Sequence, residues 1–165
     1  LYSTHPLNAI KIPCSNRKKV VYKTSNPPVK IRKSEYIADM KSRKPTIRFL
    51  NLVDDANLRV ESIPAEEVLH RTNKRLLLNV IDVREYREFL VSHIELSKHI
   101  SRGLLERDIE FHYPVLSEEL IVYCSDGLRS TLAVDTLLKM GYTKVRVMEG
   151  GFQAWKKAGG KICLA

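Results

Sequence analysis

Apolar residues gather into short runs over the last two thirds of the chain, and the runs alternate with amphipathic stretches. Leu76 to Val83 (LLLNVIDV), Leu120 to Tyr123 (LIVY) and Val145 to Met148 have the length and continuous apolar character of buried strands. Between them, Glu85 to Val91 and Gly103 to Phe111 read as helices. Ser130 to Met140 sets Leu132, Ala133, Thr136, Leu137 and Met140 on one helical stripe, and Gly141 follows as a stop. A last helix is expected from Phe152 to Ala158, ahead of Gly159-Gly160. Strands that alternate with helices over residues 58–165 predict an α/β domain: a parallel sheet with helices on both faces. In such folds chemistry collects at the carboxyl ends of the strands.

Residues 1–57 do not share this pattern. They are broken by Pro13, Pro27-Pro28 and Pro45 and carry the basic runs Arg17-Lys18-Lys19 and Lys30-Ile31-Arg32-Lys33. Stretches such as Val20-Val21-Tyr22 are strand-sized, but no helical period persists. The net charge of +9 is local. Residues 1–48 hold 12 Lys and Arg against 2 acids (+10), and residues 49–165 hold 16 against 17 (−1). The expectation is a basic, partly irregular N-terminal extension on a 58–165 domain. An import segment or a basic arm for an acidic partner are the alternatives, although the stretch is Lys-rich rather than Arg- and Ser-rich. Tyr22 and Tyr36 are sparse aromatics and no recognition motif occurs, so nucleic acid is not the expected partner. At 44% hydrophobic and 28% charged, the 165 residues suffice for one globular domain. No apolar stretch reaches membrane-spanning length. The expected compartment is the cytoplasm, with import into an organelle as the alternative. The three cysteines, Cys14, Cys124 and Cys163, are too scattered for a disulfide framework, and without a C-x-x-C pair no structural zinc is expected.

The segment richest in chemistry is Cys124-Ser125-Asp126-Gly127-Leu128-Arg129-Ser130, between a buried strand and an amphipathic helix. A cysteine there stands at the sheet's carboxyl edge and faces a helix N-terminus. If the loop curls, successive backbone N–H groups point at the sulfur as an anion nest, which favours thiolate over thiol. Gly127 supplies the freedom for a tight curl. Arg129 can close the loop with a permanent positive charge, and Ser130 is a candidate N-cap. From chemistry alone two readings stand: a reactive thiolate, or a buried structural cysteine before an ordinary turn.

Several motifs follow one another in a familiar order. These are Asp82-Val83-Arg84-Glu85, Glu88-Phe89, His93-Ile94, the Cys124 loop, Met140-Gly141-Tyr142, Gly150-Gly151-Phe152 and Ala154-Trp155. In this order and spacing, residues 58–165 resemble the rhodanese family along nearly their whole length. The resemblance implies a three-layer sandwich with a central parallel sheet of four or five strands. It also implies a single-domain sulfurtransferase in which Cys124 takes up a sulfane sulfur as a persulfide. Ser125, Asp126, Gly127, Leu128 and Arg129 would form the substrate cradle. The donor would be thiosulfate, a persulfide or a polysulfide, and the acceptor a thiol, cyanide or a protein. No cofactor or metal is implied.

The remaining motifs read as structural. Asp82 and Arg84 suit a fixed ion pair under the loop, and His93 a loop-fixing hydrogen bond. Phe152 and Trp155 suit the core, and Gly150-Gly151 a turn. Cys163 reads as a spectator near the C-terminus and Cys14 has no assigned role. Around the histidine the chain departs from the family: Ser92 stands where glycine is usual, Leu96-Ser97 where a Gly-Ala pair is, and Ser101 where proline is. Two competing readings accompany the resemblance. Dual-specificity phosphatases of the cell-cycle type resemble rhodaneses in fold, but their loop is one residue longer from cysteine to arginine, which suits phosphate better than sulfur. A rhodanese-like module used for protein binding or regulation usually lacks the cysteine that is present here.

Overall fold

The structure is a computed structural model that describes residues 44–74, 78–95 and 97–164. Residues 1–43, with Cys14 and the basic runs, lie outside the described residues, and so does the expected role of the arm.

Five parallel strands form the central sheet in the order β1-β6-β5-β2-β4: β1 (Glu61–Ile63), β2 (Asn79–Asp82), β4 (Lys98–His99), β5 (Leu120–Tyr123) and β6 (Val145–Met148). A separate antiparallel pair joins β3 (Ser92–Ile94) to β7 (Ile162–Leu164). The helices are α1 (Ile47–Asn57), α2 (Ala65–Asn73), α3 (Tyr86–Val91), α4 (Leu105–His112), α5 (Leu128–Lys139) and α6 (Gly151–Lys157), with a 3₁₀ turn over Arg102–Leu104 ahead of α4. The parallel α/β sandwich expected from the alternation is present, with five strands. The observed β5 and β6 coincide with the runs read as strands.

The sheet feeds two cores, one on each face. Ile81, Val83, Leu120, Val122, Val145 and Val147 pack with Leu105 and Ile109 of α4 and with Ala133, Val134 and Leu137 of α5. Val80, Ile121, Tyr123, Ile63 and Met148 pack with Ala65 and Val68 of α2 and with Phe152 and Trp155 of α6. The alternation along β5 follows from the two-residue period of an extended strand. It carries one residue further: Cys124 has the parity of Leu120 and Val122 and joins the α4/α5 core. Each fully buried Leu, Ile or Val contributes about 1.5–3 kcal/mol, so this doubly covered strand is a firm base for the loop that follows.

Several elements were not evident in the sequence. β1, β3, β4 and β7 are two or three residues long, too short to show a period. Helix α2 begins after Pro64 with Glu66 and Glu67 in its first turn, where acids favour the helix N-terminus. Helix α1 falls inside the stretch read as an irregular extension. Its start is set by Thr46, whose side chain accepts the Phe49 N–H at 3.3 Å. It packs against α5, and Val53 and Ala56 are its buried residues.

A small ion cluster accompanies that contact. Arg59, just past α1, donates to Asp55 at 2.7 Å and to Asp135 of α5 at 2.8 Å, and Lys139 reaches Asp135 at 2.6 Å. The Arg59 hydrogen bond, with help from Lys139, holds the Asp135 carboxyl below its ordinary value of 3.8. A depressed carboxylate stabilises the fold above its ordinary value, and the contribution is lost as pH falls through the folded value. Asp135→Asn is therefore expected to lower the melting temperature at neutral pH and to flatten its fall below about pH 4. Parallel thermal melts against pH check this; superimposable curves for wild type and variant would count against it.

Candidate functional site

The loop after β5 is gripped from both ends. On the strand side, the Val83 N–H donates to the Tyr123 carbonyl at 3.0 Å. On the far side, the first turn of α6 takes hold of the loop backbone: the Phe152 N–H donates to the Cys124 carbonyl at 2.8 Å and the Gln153 N–H to the Ser125 carbonyl at 3.1 Å. Gly151 lets α6 come this close. Its φ is +55°, and a Cβ there would stand 2.4 Å from the Cys124 carbonyl oxygen. Gly151→Ala is expected to displace the loop and to destabilise the domain by about 2 kcal/mol or more, since strain and a backbone clash combine. Urea unfolding reads the cost; a variant within experimental error of wild type would show that the loop is not tied to α6 in this way.

The curl itself runs through Gly127, whose φ of +104° favours glycine. Its carbonyl accepts from the Ser130 hydroxyl at 2.8 Å, the Thr131 hydroxyl at 3.1 Å and the Thr131 N–H at 3.0 Å, so the loop is locked to the first turn of α5. Ser130 is thus not the N-cap. The helix begins at Leu128 after Gly127, and Ser130 lies buried in its first turn.

Three groups contact the Cys124 sulfur. The Gly127 N–H donates to it at 3.2 Å, and the Ser130 hydroxyl, whose proton goes to the Gly127 carbonyl, stands 3.6 Å away. The thiol in turn donates to Asp126 Oδ1 at 3.5 Å. The same carboxylate oxygen accepts the Leu128 N–H at 3.1 Å, so that amide is spent on Asp126 rather than aimed at the sulfur. Cys124 is fully buried and is the free cysteine among the described residues. Gly127 and Ser130 are buried as well, and Asp126 is exposed.

Arg129 does not turn inward to the sulfur. Its guanidinium forms a two-pronged pair with Glu88 of α3, Nη1 to Oε2 at 2.7 Å and Nη2 to Oε1 at 3.0 Å, and also donates to the Ser125 hydroxyl at 2.9 Å. That hydroxyl donates to Glu88 Oε1 at 2.8 Å. Glu88 Oε2 further accepts the Glu85 N–H at 3.1 Å, which fixes the start of α3. Burial pushes the Glu88 carboxyl up, but Arg129 and the Ser125 hydroxyl outweigh it and hold the group below the usual carboxylate range. Burial likewise opposes the Arg129 charge, and Glu88 more than restores it. Of the six predicted residues, Cys124 to Gly127 form the loop and Leu128 and Arg129 begin α5, and the structure adds Glu88, which in the sequence is only part of a motif. The available signal was chemical: a loop arginine beside a buried sheet needs a carboxylate partner.

Beneath the loop lies the expected Asp82–Arg84 ion pair, both members buried, at 2.6 Å. His93 Nδ1 is 3.0 Å from the Phe89 carbonyl, and its ring stacks on Phe89. Ser97 donates to the Ile94 carbonyl at 2.8 Å and lies 3.0 Å from the Tyr123 hydroxyl. The segment around the histidine therefore has its own polar supports without the family's usual glycines. Cys163 lies buried on β7, in register with His93. Among the described residues no group of three or more His, Cys, Asp or Glu is placed to hold a metal ion. Nor is any helix among them long and apolar enough to cross a membrane.

A parallel sheet covered on both faces, with a cysteine-led loop running from its middle strand into a long helix, defines an α/β domain of the rhodanese type. The profile of the rhodanese-like domain matches residues 64–158, more than half of the chain, and the chain belongs to that family. A Schizosaccharomyces pombe protein provisionally named a mitochondrial thiosulfate sulfurtransferase is 34% identical over an 87-residue alignment that covers 46% of this chain and 61% of the relative. The match thus spans less than two thirds of that relative's length. Among solved structures, a Rhodopseudomonas palustris protein described as of unknown function and a possible tyrosine phosphatase superposes with a TM-score of 0.62. It is 29% identical over 73% of this chain and 97% of its own. A rhodanese-related protein from Thermoplasma volcanium gives 0.56 at 28% identity, over 64% of this chain and 99% of its own.

Proposed function

We propose that the protein is a sulfurtransferase that carries a sulfane sulfur as a persulfide on Cys124. The observation that carries this reading is the sulfur's surroundings: a buried cysteine in the loop that leads into α5 receives a hydrogen bond from the Gly127 N–H at 3.2 Å, with the Ser130 hydroxyl 3.6 Å away. Donors held in place by the fold stabilise negative charge on a sulfur without having to reorganise. In the first half-reaction the Cys124 thiolate attacks the outer sulfur of the donor. A new S–S bond forms, the donor's S–S bond breaks, and its electron pair leaves with the departing sulfite or thiolate. In the second, a thiol or cyanide attacks the outer sulfur of the persulfide and regenerates the Cys124 thiolate. Ser125 to Arg129 supply the cradle through the Gly127 N–H and the network anchored on Glu88. The mitochondrial name of the S. pombe relative and the basic N-terminal stretch support an organellar setting.

The R. palustris relative raises a phosphatase reading. Two features favour sulfur over phosphate. The run from Cys124 to Arg129 is short, and Arg129 is bound to Glu88 instead of lying over the loop's centre, where a phosphate dianion would need it. The test is intact-protein mass spectrometry after incubation with thiosulfate or polysulfide, followed by addition of cyanide. The expected result is one added sulfur atom, mapped to Cys124, that is removed as thiocyanate. Hydrolysis of an aryl phosphate without sulfur loading would establish the phosphatase instead. Inactivity in both assays would leave a binding module as the better reading.

A further inference from the structure

We propose that Glu88 and Asp126 set the donor class of this site, turning it away from the thiosulfate dianion and toward organic persulfides of low charge. This rests on the sulfurtransferase reading and specifies its substrate. Besides Cys124 itself, three ionisable side chains belong to the loop, the first turn of α5 and the network bound to them: Asp126 (−1), Glu88 (−1) and Arg129 (+1), a sum of −1. The single cation that would attract an anion is already engaged, with two hydrogen bonds of 2.7 and 3.0 Å to Glu88. A bidentate arginine–carboxylate pair satisfies both partners and leaves little field for a third charge. Asp126 stands nearest the reacting atom, 3.5 Å from the sulfur. Of the sulfur's three contacts it is the exposed one, while Gly127 and Ser130 are buried. A donor arriving from solvent therefore passes a carboxylate before it meets the sulfur.

Both donors give the same persulfide. Thiosulfate loses sulfite, which takes the electron pair of the broken S–S bond, and the reacting pair carries three negative charges in total. A persulfide of an uncharged thiol loses that thiolate with the electron pair, and carries the charge of the Cys124 thiolate and at most one more. Repulsion by Asp126 acts on every charge the donor brings, so it weighs more on the dianion. Glu88 acts at one remove, as a positioning residue that keeps Arg129 from offsetting the repulsion.

The experiment measures kcat/KM for thiosulfate and for the persulfide of 2-mercaptoethanol, in wild type, Asp126→Asn, Glu88→Gln and Glu88→Asp, at low and high ionic strength. Wild type is expected to favour the persulfide, and added salt is expected to raise thiosulfate relative to it, because screening weakens the repulsion. The thiosulfate-to-persulfide ratio is expected to rise at least about tenfold in Asp126→Asn and in Glu88→Gln, chiefly through a lower KM for thiosulfate. Glu88→Asp keeps the charge and is expected to stay near the wild-type ratio. General damage to the loop cancels in the ratio, and the wild-type salt response depends on no variant folding. Sulfur loading at Cys124 with thiosulfate favoured, or ratios unmoved by both charge-removing variants, overturns the donor assignment alone. Absence of added sulfur on Cys124 with both donors overturns the sulfurtransferase reading and this inference with it.

Discussion

Cys124→Ser is expected to abolish sulfur loading and thiocyanate formation, down to the buffer blank, while costing no more than about 1 kcal/mol of stability. The loss follows from the chemistry of the step. A serine hydroxyl is not ionised near neutrality and forms no persulfide, so neither half-reaction has its carrier. The small stability cost follows from the geometry. A buried hydroxyl is expensive only where it lacks partners, and here the Gly127 N–H at 3.2 Å and the Asp126 carboxylate at 3.5 Å stand ready as donor and acceptor. The swap also keeps nearly the same volume on the α4/α5 side of the sheet. Urea unfolding and mass spectrometry on the same samples separate the two effects. A serine variant that still transfers sulfur would remove Cys124 from the mechanism. One that is inactive and also several kcal/mol less stable would make the loss of activity structural.

Arg84→Met is expected to be the most destabilising of these substitutions, by about 3–5 kcal/mol. Asp82 is fully buried and Arg84 nearly so. The guanidinium meets the carboxylate through Nη2 at 2.6 Å and through Nε at 3.0 Å to each oxygen. It also donates to the Ser92 carbonyl at 2.7 Å and lies over the Phe152 ring at 4.2 Å. Burial works against the Arg84 charge, and Asp82 more than restores it. Removal of the arginine leaves a buried carboxylate with one backbone partner, the Arg84 N–H at 2.9 Å. Its desolvation cost then stands uncompensated. For a domain whose whole stability is of order 5–15 kcal/mol, that is a large share. The double variant Asp82→Asn with Arg84→Met is expected to be more stable than Arg84→Met alone, because the orphaned charge is gone. Urea unfolding of the three variants checks this; a double variant no better than the single would show that the arginine acts mainly through Ser92 and Phe152. The consequence for the site is indirect: α3 leaves the sheet directly after Arg84 and carries Glu88 to Arg129.

The strand–loop–helix unit around Cys124 was legible without a structure because its signals are local. LIVY at Leu120 to Tyr123 is buried at every residue, and the stripe from Leu132 to Met140 repeats at the helical period, so both elements announce themselves within a dozen residues. The glycine at 127 is required by a left-handed φ in its own loop. The order of motifs from Asp82 to Trp155 likewise lies on the surface of the sequence, and so does the family.

Contacts between distant segments were not legible. Glu88 and Arg129 are 41 residues apart, and many acids in the chain could have partnered that arginine; only the packing of α3 beside the loop selects one. The same holds for Arg59 and Asp135, 76 apart, which accompany the docking of α1 on α5. Strands β3 and β7 owe their existence to each other's backbone hydrogen bonds, not to a pattern in either. Ser130 is a further case: its residue type suits a cap, yet the turn at Gly127 starts the helix earlier and sets the hydroxyl against the sulfur. Local propensity and periodicity decide which segments become strands and helices. Which charge faces which, and so whether the loop's arginine is free to hold an anion, is decided only when the folded sheet brings α3 to the cysteine loop.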